Sequence, residues 1–210
     1  MVPMNMPNKN QDLHGSAPDK SGVALLLIDV INDFDFADAD KLLRYALPMA
    51  QQLAALKARA KREAIPVIYV NDNFGRWRSD FNAQVKHCLG EAMRGQPVVE
   101  LLRPEEDDYF VLKPKHSGFF STNLDILLEY LGAETLVLTG LATNICVLFT
   151  ANDAYMRDFG LVVPSDCSAA NTKQDHDHAL QQISTVLKGD IQPSTEISFD
   201  EWKRTAGPRG

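Results

Sequence analysis

The sequence predicts an α/β fold: a three-layer α/β/α sandwich around a mostly parallel sheet of about six strands. Short apolar runs such as VALLLIDV at 23–30 and TLVLTG at 135–140 are typical of strands buried on both faces. These runs alternate with longer stretches of helical period, as expected of a parallel sheet covered by helices on both sides. In such sheets ligands bind at the carboxyl ends of the strands, so the chemistry should lie there.

Composition narrows the class of protein. The chain has 210 residues, 45% of them hydrophobic, and a formal net charge of −7. This excludes a collagen, a coiled coil or a wholly disordered chain, and argues against a nucleic-acid or membrane partner. Three cysteines form no disulfide framework, which favours a reducing cytoplasm. We predict a flexible N-terminal tail over 1–20, polar and without a signal-peptide core, followed by one domain over 21–210.

Each element follows from local patterns. A helix is predicted over 38–64, with Pro48 opening a second helix because an interior proline removes a backbone donor. A strand follows over 66–71, and glycines and prolines punctuate an irregular loop over about 72–104, either a lid or an interface. Beyond it we predict strands at 109–113, 135–140 and 161–166, helices at 124–131, 146–159 and 175–187, and an edge strand at 196–199. Gly160 is expected to cap the second of these helices.

Three predicted strand ends carry chemically active side chains. Asp29 closes the first strand, Lys113 closes YFVLK, and the strand TLVLTG leads through Gly140 to Cys146. Taken alone, Asp29 also fits an acid that caps a loop, and Lys113 also fits a solvated lysine. Together they would meet at one edge of the sheet.

Cys146 lies where a strand turns into a helix, with Thr143 or Asn144 as a candidate N-cap. The positive end of the helix dipole and nearby cations should lower the pKa of the thiol, and thiolate is the nucleophilic form. Free N–H groups of the first turn can bind an oxyanion. The alternative is a buried cysteine that acts as a small apolar residue, which is how we interpret Cys88 and Cys167.

Three motifs resemble those of the isochorismatase-like cysteine hydrolases, in the branch of N-carbamoylsarcosine amidase and ureidoacrylate amidase. They are LLLIDVINDF with Asp29, LKPKHSGFFSTNLDILL with Lys113, and LVLTGLATNICVLFTANDAYMRDFGLVVPSDC with Cys146. The resemblance extends from about Val23 to about Leu187 and covers 72–104 only loosely.

The resemblance implies a catalytic triad. Asp29 would be the general base, Lys113 would hold acid and thiolate in register, and Cys146 would attack the substrate. It also implies a cis peptide between Leu141 and Ala142, and an oxyanion hole made by the N–H groups of Ala142 and Cys146. Relatives of this kind are dimers or tetramers, so a homodimer or homotetramer is expected, without a cofactor.

The chain departs from the family in several places. The metal-binding branch has an Asp-x-His pair after the second strand, where this chain has Asp72 and Asn73 and no histidine before His87. We therefore predict no metal, and interpret HDH at 176–178 as a solvated start of a helix. Asn32 stands where many relatives have Gln, and His116 where many have Tyr.

The substrate pocket is the least determined part. Arg76 or Arg78 in the loop could bind a carboxylate, and Phe34, Phe119 and Phe120 could form an apolar wall. The pocket candidates are Asn32, Phe34, His116 and Phe119, which lie in these motifs, and Asn73, Trp77 and Arg78, which lie in the loop segment NDNFGRWRSDF.

We predict a hydrolase that cleaves the C–N bond of a small amide, ureido or carbamoyl substrate through a thioester at Cys146. One alternative is an ester or isochorismate-like ether as substrate. Another is a redox or binding protein in which Cys146 is oxidised reversibly without turnover. A catalytically silent partner domain is disfavoured because all three triad positions are filled.

Overall fold

The computed structural model describes residues 19–73 and 80–203 and places six parallel strands in one sheet. Each strand pairs with its neighbour in parallel, in the order β3-β2-β1-β4-β5, and β6 extends the β5 edge by pairing with the end of β4. The strands are β1 (Val23–Ile28), β2 (Val67–Asp72), β3 (Tyr109–Lys113), β4 (Thr135–Leu141), β5 (Gly160–Val162) and β6 (Ser168–Ala169).

The order of the strands places a crevice beside the centre of the sheet. From β1 the chain moves outward to β2 and β3 on one side, then returns to β4 on the other. This reversal lies between β1 and β4, and crevices at such switch points are where α/β sheets bind ligands. The site described below lies there.

Helices cover both faces of the sheet, which gives the three predicted layers. They are α1 (Ala39–Arg62), α2 (Phe81–Cys88), α3 (Gln96–Leu101), α4 (Leu124–Leu131), α5 (Leu148–Tyr155), α6 (Lys173–Thr185) and α7 (Asp200–Lys203), with a π-helical turn (Thr143–Val147) leading into α5. Side chains of a strand point to opposite faces in turn. In β1, Leu25 and Leu27 accordingly pack with α1, whereas Leu26 and Ile28 pack with α4 and α5.

The region around Pro48 differs from the prediction. One continuous helix, α1, runs through Pro48, so the predicted second helix does not exist. Pro48 and Arg44 both lie on the exposed side of α1. The carbonyl group of Arg44, which loses its donor to the proline, can therefore bind water instead.

Several boundaries also differ. The segment 72–104 contains two short helices, α2 and α3, and is not wholly irregular. Residues 196–199 form no strand but an irregular segment before α7, in which Phe199 packs into the core and against Trp202. Gly160 caps no helix: it begins β5, where a Cβ atom would lie 2.9 Å from Oγ1 of Thr135, so its small size serves the close approach of β4 and β5.

Across the described ranges, no helix combines the length and apolar character needed to cross a bilayer.

Candidate active site

The structure brings Asp29, Lys113 and Cys146 together at the carboxyl ends of the strands. Nζ of Lys113 lies 2.8 Å from Oδ2 of Asp29 and 3.5 Å from Sγ of Cys146. The carboxylate of Asp29 also hydrogen-bonds the thiol of Cys146. The Lys113 side chain has no exposed surface, so the alternative of a solvated lysine is wrong.

The backbone around Asp29 fixes the direction of its carboxylate. Asp29 has a φ of +50°, a left-handed conformation that side-chain-bearing residues rarely adopt and that is frequent at functional sites. Its N–H donates to the carbonyl of Val70, and its Oδ1 accepts the N–H of Asp72 at 2.6 Å. Both contacts come from β2, so this neighbouring strand holds the acid in place.

Asn71 is a positioning residue that the sequence analysis missed. Its buried side chain accepts the N–H of Ile31 at 3.1 Å and donates to the carbonyl of Ile31 at 2.9 Å. The side-chain amide of Asn71 therefore satisfies the backbone N–H and C=O of Ile31, as a neighbouring strand would, and holds the loop that follows Asp29. The available signal was a lone polar residue at the end of the apolar strand PVIYVN.

Gly140 lets β4 approach β1 directly beside the acid. Its φ is +104°, and a Cβ atom there would lie 2.0 Å from the carbonyl oxygen of Ile28, the residue before Asp29. Only glycine fits this conformation and this contact.

Cys146 lies in the π-helical turn that leads into α5, and its backbone is tied to the segment after Lys113. Oγ1 of Thr150 donates to the carbonyl of Cys146 at 2.7 Å and accepts the N–H of Gly118 at 3.0 Å. Thr150 thus joins the segment that carries Cys146 to the segment that follows Lys113. The predicted N-cap by Thr143 or Asn144 is wrong, because Ala142 stands at the cap and no side chain caps this turn.

Burial and two neighbouring charges shift the pKa of the Cys146 thiol. Burial raises the pKa of the Cys146 thiol to about 12; the charge of Asp29 adds to this shift and Lys113 opposes it. The predicted lowering of this pKa is therefore wrong, because the dehydration of the thiol outweighs the nearby cation.

The two charged partners respond to the same burial. Burial raises the pKa of Asp29, against the opposing charge of Lys113. Burial alone would lower the pKa of Lys113, but Asp29 and Cys146 reverse this, and the net shift is upward. A carboxylate with a raised pKa is the better proton acceptor for a thiol that starts protonated.

The peptide bond between Leu141 and Ala142 is cis, at the position that the family resemblance implies. Directly after it, Oγ1 of Thr143 hydrogen-bonds Nδ1 of His176 at 2.8 Å, and Nε2 of His176 lies 3.0 Å from the carbonyl of Ser165. Because a carbonyl only accepts, Nε2 carries the proton, and in a neutral ring Nδ1 accepts from Thr143.

His176 therefore supports the turn before Cys146. Its predicted role as part of a solvated helix start is wrong, since the ring is half-buried and bonded at both nitrogens. The contact with Thr143 could not be predicted, because the two residues are 33 positions apart in the sequence.

His116 is the pocket candidate that the structure brings next to Cys146. The exposed ring has its Nδ1 3.8 Å from Sγ of Cys146 and packs against Phe149 of α5, with ring centroids 5.4 Å apart. Oδ1 of Asn32 instead accepts the N–H of Phe34 at 2.8 Å and closes its own turn.

The remaining candidates are placed apart from one another. Phe34 and Phe119 are buried in different clusters, on opposite faces of the sheet, so they do not form one apolar wall. Asn73 donates its backbone N–H to the carbonyl of Lys113, next to the triad. Trp77 and Arg78 lie outside the described residues.

Within residues 19–73 and 80–203, no group of three or more His, Cys, Asp or Glu side chains is arranged to hold a metal ion.

Comparison with known proteins identifies the family. The Isochorismatase domain model matches residues 23–191. The chain is 38% identical over 178 residues to the uncharacterized isochorismatase family protein YaaI of Bacillus subtilis, covering 85% of this chain and 97% of that one. It is 42% identical over 201 residues to the ureidoacrylate amidohydrolase RutB of Methylorubrum extorquens, covering 80% of this chain and 79% of RutB.

A solved structure agrees with both sequence relatives. The crystal structure of N-carbamoylsarcosine amidase from Thermoplasma acidophilum superimposes with a TM-score of 0.67 at 28% identity, covering 84% of this chain and 98% of that one. The predicted α/β fold is confirmed, and the chain belongs to the isochorismatase family.

Proposed function

We propose that this protein is a cysteine-dependent hydrolase that cleaves the C–N bond of a small amide, ureido or carbamoyl substrate through a thioester at Cys146. The observation that carries the proposal is the buried Asp29–Lys113 ion pair in contact with Sγ of Cys146. A buried ion pair is costly to dehydrate, and here it lies against a nucleophile at the strand ends where ligands bind.

Each triad residue has a distinct role in the proposal. Asp29 takes the proton from the thiol as Sγ attacks the carbonyl carbon, and returns it to the leaving nitrogen as the C–N bond breaks. Lys113 keeps its charge next to both groups and stabilises the thiolate while it forms. The raised pKa of Asp29 and of Cys146 suits a proton that moves only during attack.

The oxyanion would be bound by backbone N–H groups. We assign this role to the N–H group of Ala142, the residue before the π-helical turn, and to that of Cys146 within the turn. Thr143, held by His176, lies between these two donors in the chain and would keep them in place. Preorganised donors of this kind stabilise charge as it develops.

The relatives support the reaction class. The names of RutB and of the Thermoplasma protein describe enzymes that act on carbon–nitrogen bonds other than peptide bonds. The enzyme class predicted from the sequence, a hydrolase of such bonds, agrees with both. Ureidoacrylate and N-carbamoylsarcosine are accordingly the first substrates to test.

The test is the release of ammonia or amine from a panel of ureidoacrylate, N-carbamoylsarcosine and nicotinamide. We expect turnover of at least one compound by the wild type, and a loss of at least ~10³-fold in Cys146→Ala. Cys88→Ala, a buried cysteine outside the site, is the matched control and should retain activity. Cleavage of esters with all amides untouched, or reversible oxidation of Cys146 without turnover, would reject the amidase proposal.

We also propose that the chain acts as a homodimer or homotetramer, in the cytoplasm. Ile145, Phe149 and Met156 are exposed by 40%, 53% and 69%. Phe149 of α5 and Met156, the C-cap residue of this helix, are seven residues apart, a spacing that brings side chains to one helix face. A second copy would cover this apolar strip beside the site. Phe149→Asp should then shift the sedimentation coefficient to that of a monomer. The three free cysteines support a reducing compartment.

A further inference from the structure

Cys146 is contacted by a titratable side chain that the proposed acylation step does not use. Nδ1 of His116 lies 3.8 Å from Sγ. His116 is exposed, whereas Asp29 and Lys113 are buried, so the sulfur has buried partners on one side and an exposed base on another.

Contacts with Phe149 and Thr150 fix the position of His116 relative to Cys146. Its ring is tilted against Phe149, with ring centroids 5.4 Å apart. Its turn is anchored two residues later, where the N–H of Gly118 donates to Thr150, and Thr150 in turn donates to the carbonyl of Cys146. The histidine and the nucleophile therefore share one anchor and keep their relative position.

Hydrolysis of a thioester needs a base that water can reach. In acylation Asp29 takes its proton from the thiol that it contacts directly, but its buried carboxylate, held by the N–H of Asp72 and by Lys113, is poorly accessible to water. Water arrives from the exposed side, where His116 lies. The acyl carbon would be bonded to Sγ, so a water hydrogen-bonded to Nδ1, at ~2.6–3.2 Å, can approach that carbon.

We propose that His116 is the general base of the deacylation half-reaction, an inference that rests on the thioester of the proposed function. With the ring protonated at Nε2, Nδ1 takes a proton from water while the oxygen bonds to the acyl carbon. The C–S bond then breaks, the acid product leaves, and the thiolate takes the proton from Nδ1. One water is consumed, and thiol and neutral imidazole are restored.

The test separates acylation from deacylation with p-nitrophenyl acetate, whose leaving group needs no protonation. We expect His116→Gln to release one equivalent of p-nitrophenol in a burst and then to turn over on the order of 10²-fold more slowly than wild type. Intact mass spectrometry should show the acetyl adduct accumulating on this variant. Hydroxylamine, which attacks a thioester without a base, should restore turnover.

His178→Gln, an exposed histidine on α6, is the matched control and should behave as wild type. The proposal is overturned if His116→Gln turns over at the wild-type rate, or is slow to acylate without accumulating an adduct. It is also overturned if hydroxylamine does not release the accumulated acyl group. If no adduct forms on Cys146 in His116→Gln or, under rapid acid quench, in wild type, although Cys146→Ala loses all amide turnover, the thioester itself is rejected, and both proposals with it.

Discussion

Lys113 and Asp29 form an ion pair whose lysine has no exposed surface and whose carboxylate is only 9% exposed, with Nζ and Oδ2 2.8 Å apart. Lys113 ends β3 and Asp29 directly follows β1, and β2 lies between these two strands, so the lysine side chain reaches across one strand of the sheet. Removing one charge leaves the other buried without its main partner.

The ion pair gives a testable coupling. Asp29→Asn and Lys113→Met should each lower the free energy of unfolding by ~3–5 kcal/mol, because each leaves an uncompensated buried charge. The double variant should lose much less than the sum, since it buries neither charge, yet should remain inactive. Urea denaturation of the four proteins measures this, and additive losses would contradict the coupling.

Much of this arrangement could be predicted from the sequence. Asp29 and Lys113 each end an apolar run, and parallel strands bring such ends to one edge, so their proximity follows from the fold class. Burial of Cys146 could not be predicted, because it depends on side chains packed around it in space. The sequence therefore predicted a lowered pKa for the Cys146 thiol, whereas burial raises it.

Contacts between residues far apart in the sequence could not be predicted either. Thr150 bonds Gly118, 32 residues away, and His176 bonds Thr143, 33 residues away. Neither partner shows in a local pattern of hydrophobicity. At Pro48 the local pattern was misleading instead. An interior proline does remove a backbone donor, but on the exposed side of α1 water can bind the carbonyl group of Arg44 in its place, so the helix continues.

Thr150→Val tests the link between the two catalytic segments. The substitution keeps the shape but leaves the N–H of Gly118 and the carbonyl of Cys146 without this partner, which should cost ~1–3 kcal/mol of unfolding free energy. Thr185→Val is the matched control, because its exposed hydroxyl donates only to Gln181 on its own helix. Equal losses in chemical denaturation would show that Thr150 links nothing.

His176 predicts how stability depends on pH. Burial lowers the pKa of His176 below its usual value of 6.5 in the folded state. Between this lowered pKa and 6.5 the unfolded chain binds more protons than the folded one, so stability falls as the pH drops through that range. His176→Gln should flatten this slope in urea denaturation at several pH values. The exposed His178→Gln should leave the slope unchanged, and a wild-type slope in His176→Gln would contradict the assignment.

Gly140→Ala tests the close approach of β4 and β1. A Cβ atom 2.0 Å from the carbonyl oxygen of Ile28 must displace a strand, so we expect a loss of more than ~3 kcal/mol of unfolding free energy, or no folding. Gly132→Ala is the matched control, since Gly132 also has a positive φ but open space around it. It should lose only ~1–2 kcal/mol, the cost of the backbone conformation alone. Similar losses at both positions would contradict a steric role for Gly140.

The central claim is that Cys146 forms a thioester with an amide substrate. Rapid acid quench during turnover of a panel substrate, followed by intact mass spectrometry and peptide mapping, tests it most directly. We predict an acyl adduct on the peptide that carries Cys146, transient in wild type and absent in Cys146→Ala. Amide turnover that persists in Cys146→Ala, or an adduct on Cys88 or Cys167 instead, would contradict it.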